Sequence, residues 1–147
     1  MTDDVLRKFR ELRQKGWMFG AALGAAKTSV KAAPYIQRGL IRIRLEPEHE
    51  SYWDVYGEEG MTKKDIRLTN QLIEREGLWW ACSEARASKK DPWVQADSIG
   101  MLIGQDPDLD GYAFGLLEAA LEKLDGLFQE DADEMSQMAT YAAGDAE

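Results

Sequence analysis

Apolar residues recur along this chain with two periods, and the switches between them predict its elements. Val5, Phe9 and Leu12 lie three and four residues apart, on one face of a helix. Thr2 is placed to cap that helix, and Asp3 and Asp4 sit where the helix dipole favours acids. Gly16 is placed to stop it. From Gly16 to Ala26 the chain reads GWMFGAALGAA, a stretch of small and apolar residues too short to span a bilayer. It imitates the apolar part of a secretory signal, with Ala32, Ala33 and Pro34 beyond it. The charged stretch before it is long and contains acids, and Gly20 and Gly24 weaken it. The expectation is therefore a closely packed helix, because Gly and Ala let another backbone approach.

Leu40 to Leu45 (LIRIRL) alternates apolar and basic residues, the period of a half-buried strand, and Pro47 ends it. Tyr52, Trp53, Val55 and Tyr56 predict a short strand or an ordered loop, followed by turn signals at Gly57 and Gly60. Thr62 and Asp65 resemble a capping box before Ile66, Leu72 and Ile73, a helix ending near Gly77. Leu78 to Ala87 reads as a strand with Trp79 and Trp80 on opposite faces. Trp93 to Ile103 reads as its hairpin partner, bulged or ending at Gly100 or Gly104. Phe114, Leu117, Leu121, Leu124 and Phe128 then define the clearest helix, beginning near Asp108 or Asp110. Residues 130–147 fit a short last helix or a frayed tail equally well. The expected fold is α+β, a small antiparallel sheet of about three strands packed with helices. By composition the chain divides into a basic helical arm (1–38), a core (39–129) and an acidic end (130–147).

Charge sharpens this division. The net charge of −9 hides a segment 1–44 with ten basic and three acidic residues, +7, and a remainder with eight basic and 24 acidic residues, −16. Within that remainder, residues 91–147 hold 14 acids and one base, Lys123. Such asymmetry marks a binding face at either end, or two ends that neutralise each other within one fold or a homodimer.

Several chemistries are excluded. One Cys and one His leave no disulfide framework, no Cys-based zinc site and no site needing two imidazoles. Gly20 to Thr28 (GAALGAAKT) has Ala where a phosphate loop needs Gly at positions 21 and 26. His49, in EPEHE, reads as a solvated loop residue, and Cys82 as a small core residue. Carboxylate pairs such as Glu48 with Glu50, or Asp97 with Asp106, arise by chance among 27 acids. A pocket joining Asp97, Glu84 and His49 would be needed to reopen an enzymatic reading. No catalytic constellation is visible, and the expectation is a protein that is not an enzyme and needs no cofactor.

Two patterns carry weaker chemistry. Asp106, Asp108, Asp110 and Gly111 match the start of a calcium loop, but Leu117 stands where the bidentate Glu belongs and Glu118 comes one residue late. The alternative is an acidic cap on the following helix. Basic residues interleaved with aromatics can hold nucleic acid, here Arg7, Arg10, Arg13, Lys27, Lys31, Arg42 and Arg44, joined by Lys63, Lys64, Arg67, Lys89 and Lys90.

The stretch Gly77 to Gly104, with its Trp-bearing strand followed by Ala96, Asp97, Ser98 and Gly100, resembles a pattern in small uncharacterised proteins of phages and plasmids. The resemblance implies no activity. It implies an accessory protein of a mobile element that binds host machinery. The leading expectation is thus a cytoplasmic, non-membrane protein that binds a host protein or complex. It would act as an inhibitor of host defence or of nucleic-acid handling, through an acidic C-terminal face of Asp106, Asp108, Asp110, Glu118, Glu122 and Asp125. The alternatives are a nucleic-acid-associated protein using the basic arm, and a calcium-binding helix-loop-helix protein.

Overall fold

A computed structural model describes residues 2–104 and 112–145. The elements run α1 (Asp3–Gln14), α2 (Phe19–Gln37), β1 (Ile41–Pro47), α3 (Tyr52–Tyr56), α4 (Lys63–Glu76), β2 (Leu78–Ala85), β3 (Val94–Ile103) and α5 (Tyr112–Asp145). The strands form one antiparallel sheet in the order β1-β2-β3. The fold is α+β, as the periodicity predicts.

The helices α1 and α4 begin and end where their local chemistry dictates. The Thr2 hydroxyl accepts from the Val5 N–H at 3.3 Å, and Gly16 turns the chain at φ +88°. Thr62 caps α4 by accepting from the Asp65 N–H at 3.1 Å, and Gly77 closes it at φ +84°. The segment expected as a strand or loop at Tyr52–Tyr56 is instead the helical turn α3. The Tyr52 and Tyr56 rings meet one turn apart, tilted at 52° with centroids at 4.8 Å. The Trp53 indole donates to Asn70 Oδ1 at 2.6 Å, which ties α3 to α4.

The core forms where α5 crosses one face of the sheet. Ile41 and Ala85 pack with Leu117, Ala120, Leu121 and Leu124 of α5 and Ala32 of α2. Ala81 and Leu102 pack with Leu116 further along. Ala81, Ala85 and Ala120 are essentially inaccessible; a side chain of one carbon at each site brings helix and sheet close. A second cluster joins Val5 and Leu12 of α1 to Ala22, Ala25 and Ala26 of α2, the packed small-residue helix expected from GWMFGAALGAA. Gly24 faces Phe114, so α2 also leans on α5. No helix of the described residues is long and apolar enough to cross a membrane.

β3 carries two irregularities against β2. One places Gly100 and Met101 as a bulge, and Met101 adopts φ +59°, a left-handed conformation that costs a residue with a Cβ. Glu48 stabilises it. One carboxylate oxygen accepts from the Met101 N–H at 3.0 Å, and the other accepts from the N–H groups of His49 and Glu50. A Cβ on Gly100 would lie 2.6 Å from Glu48 Oε2, so only glycine leaves room for this contact.

The C-terminal end differs from both sequence expectations. Residues 130–145 are neither a separate short helix nor a frayed tail but the continuation of α5, 34 residues in all and about 50 Å long. No Gly-Pro or capping signal interrupts the run after Gly126, so nothing stops it. Every residue from Gln129 to Thr140 is exposed, however, and the last core contacts are Leu127 and Phe128.

Two stability measurements check this division. Leu124→Ala, at 1% exposure, is expected to cost about 3 kcal/mol in chemical denaturation, whereas deletion of 130–147 costs less than about 1 kcal/mol. Met101→Gly should stabilise by roughly 0.5–1 kcal/mol by relieving the left-handed backbone. A loss of stability would show that the Met101 side chain outweighs that strain.

Candidate functional site

The first candidate surface is the exposed acidic side of α5, which runs on into its free half. Glu118, Glu122 and Asp125, three of the acids expected to form a partner-binding face, are all exposed and follow steps of four and three along one side of the helix. The stripe continues through Gln129 to Asp133, which are hydrogen-bonded at 3.0 Å. Beyond the body, Glu130, Asp131, Asp133 and Glu134 spread over one side of the helix within two turns, and Met135 and Met138 follow at 72% and 69% exposure. The sequence marks 130–147 as an acidic end, but the expected partner-binding face does not include residues 130–134 or these methionines. The signal for them was the uninterrupted helical run. Asp106, Asp108 and Asp110 lie outside the described residues, as does the calcium loop they would open. Among the described residues no group of three His, Cys, Asp or Glu is placed to hold a metal ion.

The second is the sheet face turned away from α5. Strand alternation sends Ile41, Ile43, Ala81, Ser83 and Ala85 towards α5, and Arg42, Arg44, Trp80, Cys82 and Glu84 to the other side. There the Glu84 carboxylate accepts from Arg42 Nε at 2.8 Å and from Arg44 Nε at 3.2 Å. Arg42 lies over the Trp93 ring at 4.3 Å, and Arg86 lies over the same ring at 4.0 Å. Arg44 lies over Trp80 at 5.7 Å and also binds Glu46. Arg86 donates to the Gly39 carbonyl at 2.8 Å, holding the turn between α2 and β1. This ladder of cations, rings and carboxylates roofs the strand: Glu84 is 7% exposed and Cys82 fully buried.

The ladder separates the residues grouped as a basic arm. Arg42 and Arg44 serve the sheet, with both guanidinium groups engaged by acids. Arg7, Arg10, Arg13, Lys27 and Lys31 belong to the α1–α2 pair, where Arg7 is bridged to Asp4 one turn away. Trp93 has two guanidinium groups near its ring, from Arg42 of β1 and from Arg86 just beyond β2, which leaves it poorly placed to stack on a base. Glu84, Arg86, Trp80 and Trp93 were not singled out as site residues. Their signal was parity: Glu84 and Arg86 share the alternation register that places Arg42 and Arg44 on one face. His49 is exposed beyond β1, Glu84 is buried at mid-sheet, and Asp97 lines a separate groove with Tyr112, Gly115 and Leu116, so the three do not meet.

Cys82 is buried as a small core residue would be, but on the face opposite α5. Burial and the nearby Glu84 carboxylate push its thiol pKa up, against a smaller lowering by Arg44, whose Nη2 lies 3.8 Å from the sulfur. Ser83, facing α5, has a buried hydroxyl with no hydrogen-bond partner among the described residues. No family model, curated protein or solved structure matches this chain.

Because the thiol is buried and held protonated at neutral pH, its modification by a thiol reagent should proceed only as fast as the protein unfolds. Glu84→Gln, which weakens the roof, should speed labelling at pH 8 at least several-fold. Rapid labelling of the folded wild-type chain would contradict the burial.

Proposed function

We propose that this protein is a non-enzymatic accessory protein that binds a host protein through the free acidic half of α5. The observation that supports this reading most is the projection of a helix whose exposed part gains nothing from the body that carries it. An isolated helical segment of this length is marginal in water. This one also places Glu130 and Glu134 one turn apart, a repulsive pair. A basic surface on a partner reverses that penalty. The exposed methionines add a flexible apolar contact beside the charges.

The partner chemistry that fits is a nucleic-acid-binding channel. Carboxylates spaced along a rod occupy such a channel in place of phosphates, and the attraction is strongest at low salt. The protein would then act as an inhibitor of a host defence or nucleic-acid-handling complex. The placement in a phage or other mobile element rests on the resemblance of the Gly77–Gly104 strands. The acids of 130–134 are exposed and so open to a partner.

The reading predicts stoichiometric capture of a nucleic-acid-handling complex from nuclease-treated host lysate at about 50 mM salt, released as salt rises. Duplex DNA should compete for the captured partner. Full-length protein carrying Glu130→Lys and Glu134→Lys should capture at least tenfold less while unfolding at the same temperature. Equal capture by that variant, or a direct mobility shift of DNA by the protein itself, would reject the proposal in favour of another surface.

A further inference from the structure

We propose that the cleft beneath α3 is a binding site for a guanidinium cation. This site lies on the sheet and is independent of the free half of α5. The cleft encloses about 700 Å³, a size suited to a small ligand or one long side chain. Trp80 of β2 and the Gly100 bulge of β3 line it, α3 supplies Tyr56, and the chain after β1 supplies Glu48 and Glu50. Among the described residues no Lys or Arg lines it.

Its groups are built for a planar cation. The Glu48 carboxylate is held by backbone N–H groups from both sides of the cleft, so its position is set before a cation arrives. Glu50 is exposed and brings a second carboxylate. Tyr56 is exposed and brings an aromatic ring, and Trp80 brings a second, over which Arg44, paired with Glu46 of the same lining, already lies at 5.7 Å. The same pairing already holds this protein's own arginines nearby: Arg42 is gripped by Glu84 and lies over Trp93. A guanidinium stacks on a ring while its N–H groups reach carboxylates, and it sheds water more readily than an ammonium group. The cleft offers that pair of groups to a cation from outside, either an arginine side chain of a polypeptide or a free guanidino compound.

The test is a titration of isotope-labelled full-length protein, following the Trp80 indole N–H and the Gly100 amide by NMR. The probes are a blocked Gly-Arg-Gly peptide and agmatine, with Gly-Lys-Gly and Gly-Gln-Gly peptides as controls. Both guanidinium probes should shift these signals saturably, the lysine peptide several-fold more weakly, and the glutamine peptide not at all. Tighter binding of the peptide identifies a polypeptide source, and tighter binding of agmatine a free one. Glu50→Gln and Tyr56→Ala, at exposed positions, should each weaken binding several-fold without changing the unfolding temperature. Glu130→Lys with Glu134→Lys should leave it unchanged, which separates this site from the role of α5. Failure of the guanidinium probes to shift Trp80, equal shifts from the glutamine peptide, or undiminished binding by both cleft variants would overturn the proposal.

Discussion

The seating of α5 on the inner face of a three-stranded sheet is the contact on which the rest of the molecule depends. It joins all three strands to one helix through Leu116, Leu117, Leu121 and Leu124, with alanines at the closest points. The same helix receives α2 through Phe114 and Ala32, so the N-terminal pair is anchored to the core by its small-residue face. Removing large side chains from this seam exposes both layers at once. Removing residues beyond Phe128 exposes none of it.

That seam covers only one side of the sheet, and the opposite side solves its own burial problem. Cys82 and Glu84 lie at the centre of β2, where water would otherwise reach them. Long arginines from β1 and the Trp80 and Trp93 rings close over them. A carboxylate so enclosed is stable there only because two guanidinium groups pair with it. The basic residues of β1 are thus committed to the fold. What remains for external partners lies elsewhere: the acidic rod, and the cleft where the strands outrun the roof.

Much of the fold was legible in the sequence because its signals are local. Thr2 and Thr62 cap the helices they precede, LIRIRL alternates as a strand must, and Trp79 and Trp80 face opposite ways by parity alone. The two misread segments failed for identifiable reasons. Tyr52–Tyr56 is too short for a period of two to be told from a period of 3.6, and its helical form is secured by Trp53 reaching Asn70, a contact across 17 residues. The stretch of α5 from Gln129 to Thr140 lacks an apolar stripe, and its residues are exposed, so periodicity has no purchase there. Of the expected acidic face, Glu118, Glu122 and Asp125 do share one exposed side of α5, since their spacing is helical.

Sequence by itself determined the element types, the antiparallel pairing of a Trp-bearing hairpin, and the concentration of acid at one end. Those follow from caps, periods and composition, which act within a few residues. Only the tertiary structure decided which charges are spent and which are available. Arg42 and Arg44 look like a free basic patch in one dimension and are paired with Glu84, about forty residues on, and Glu46. The acids of 130–134 look like a terminal tail and stand on an exposed helix. Glu48 looks like one acid in a solvated loop and is fixed by a backbone N–H at Met101. Pairing between distant residues depends on strand register and the direction of each side chain, and neither is encoded in the local pattern.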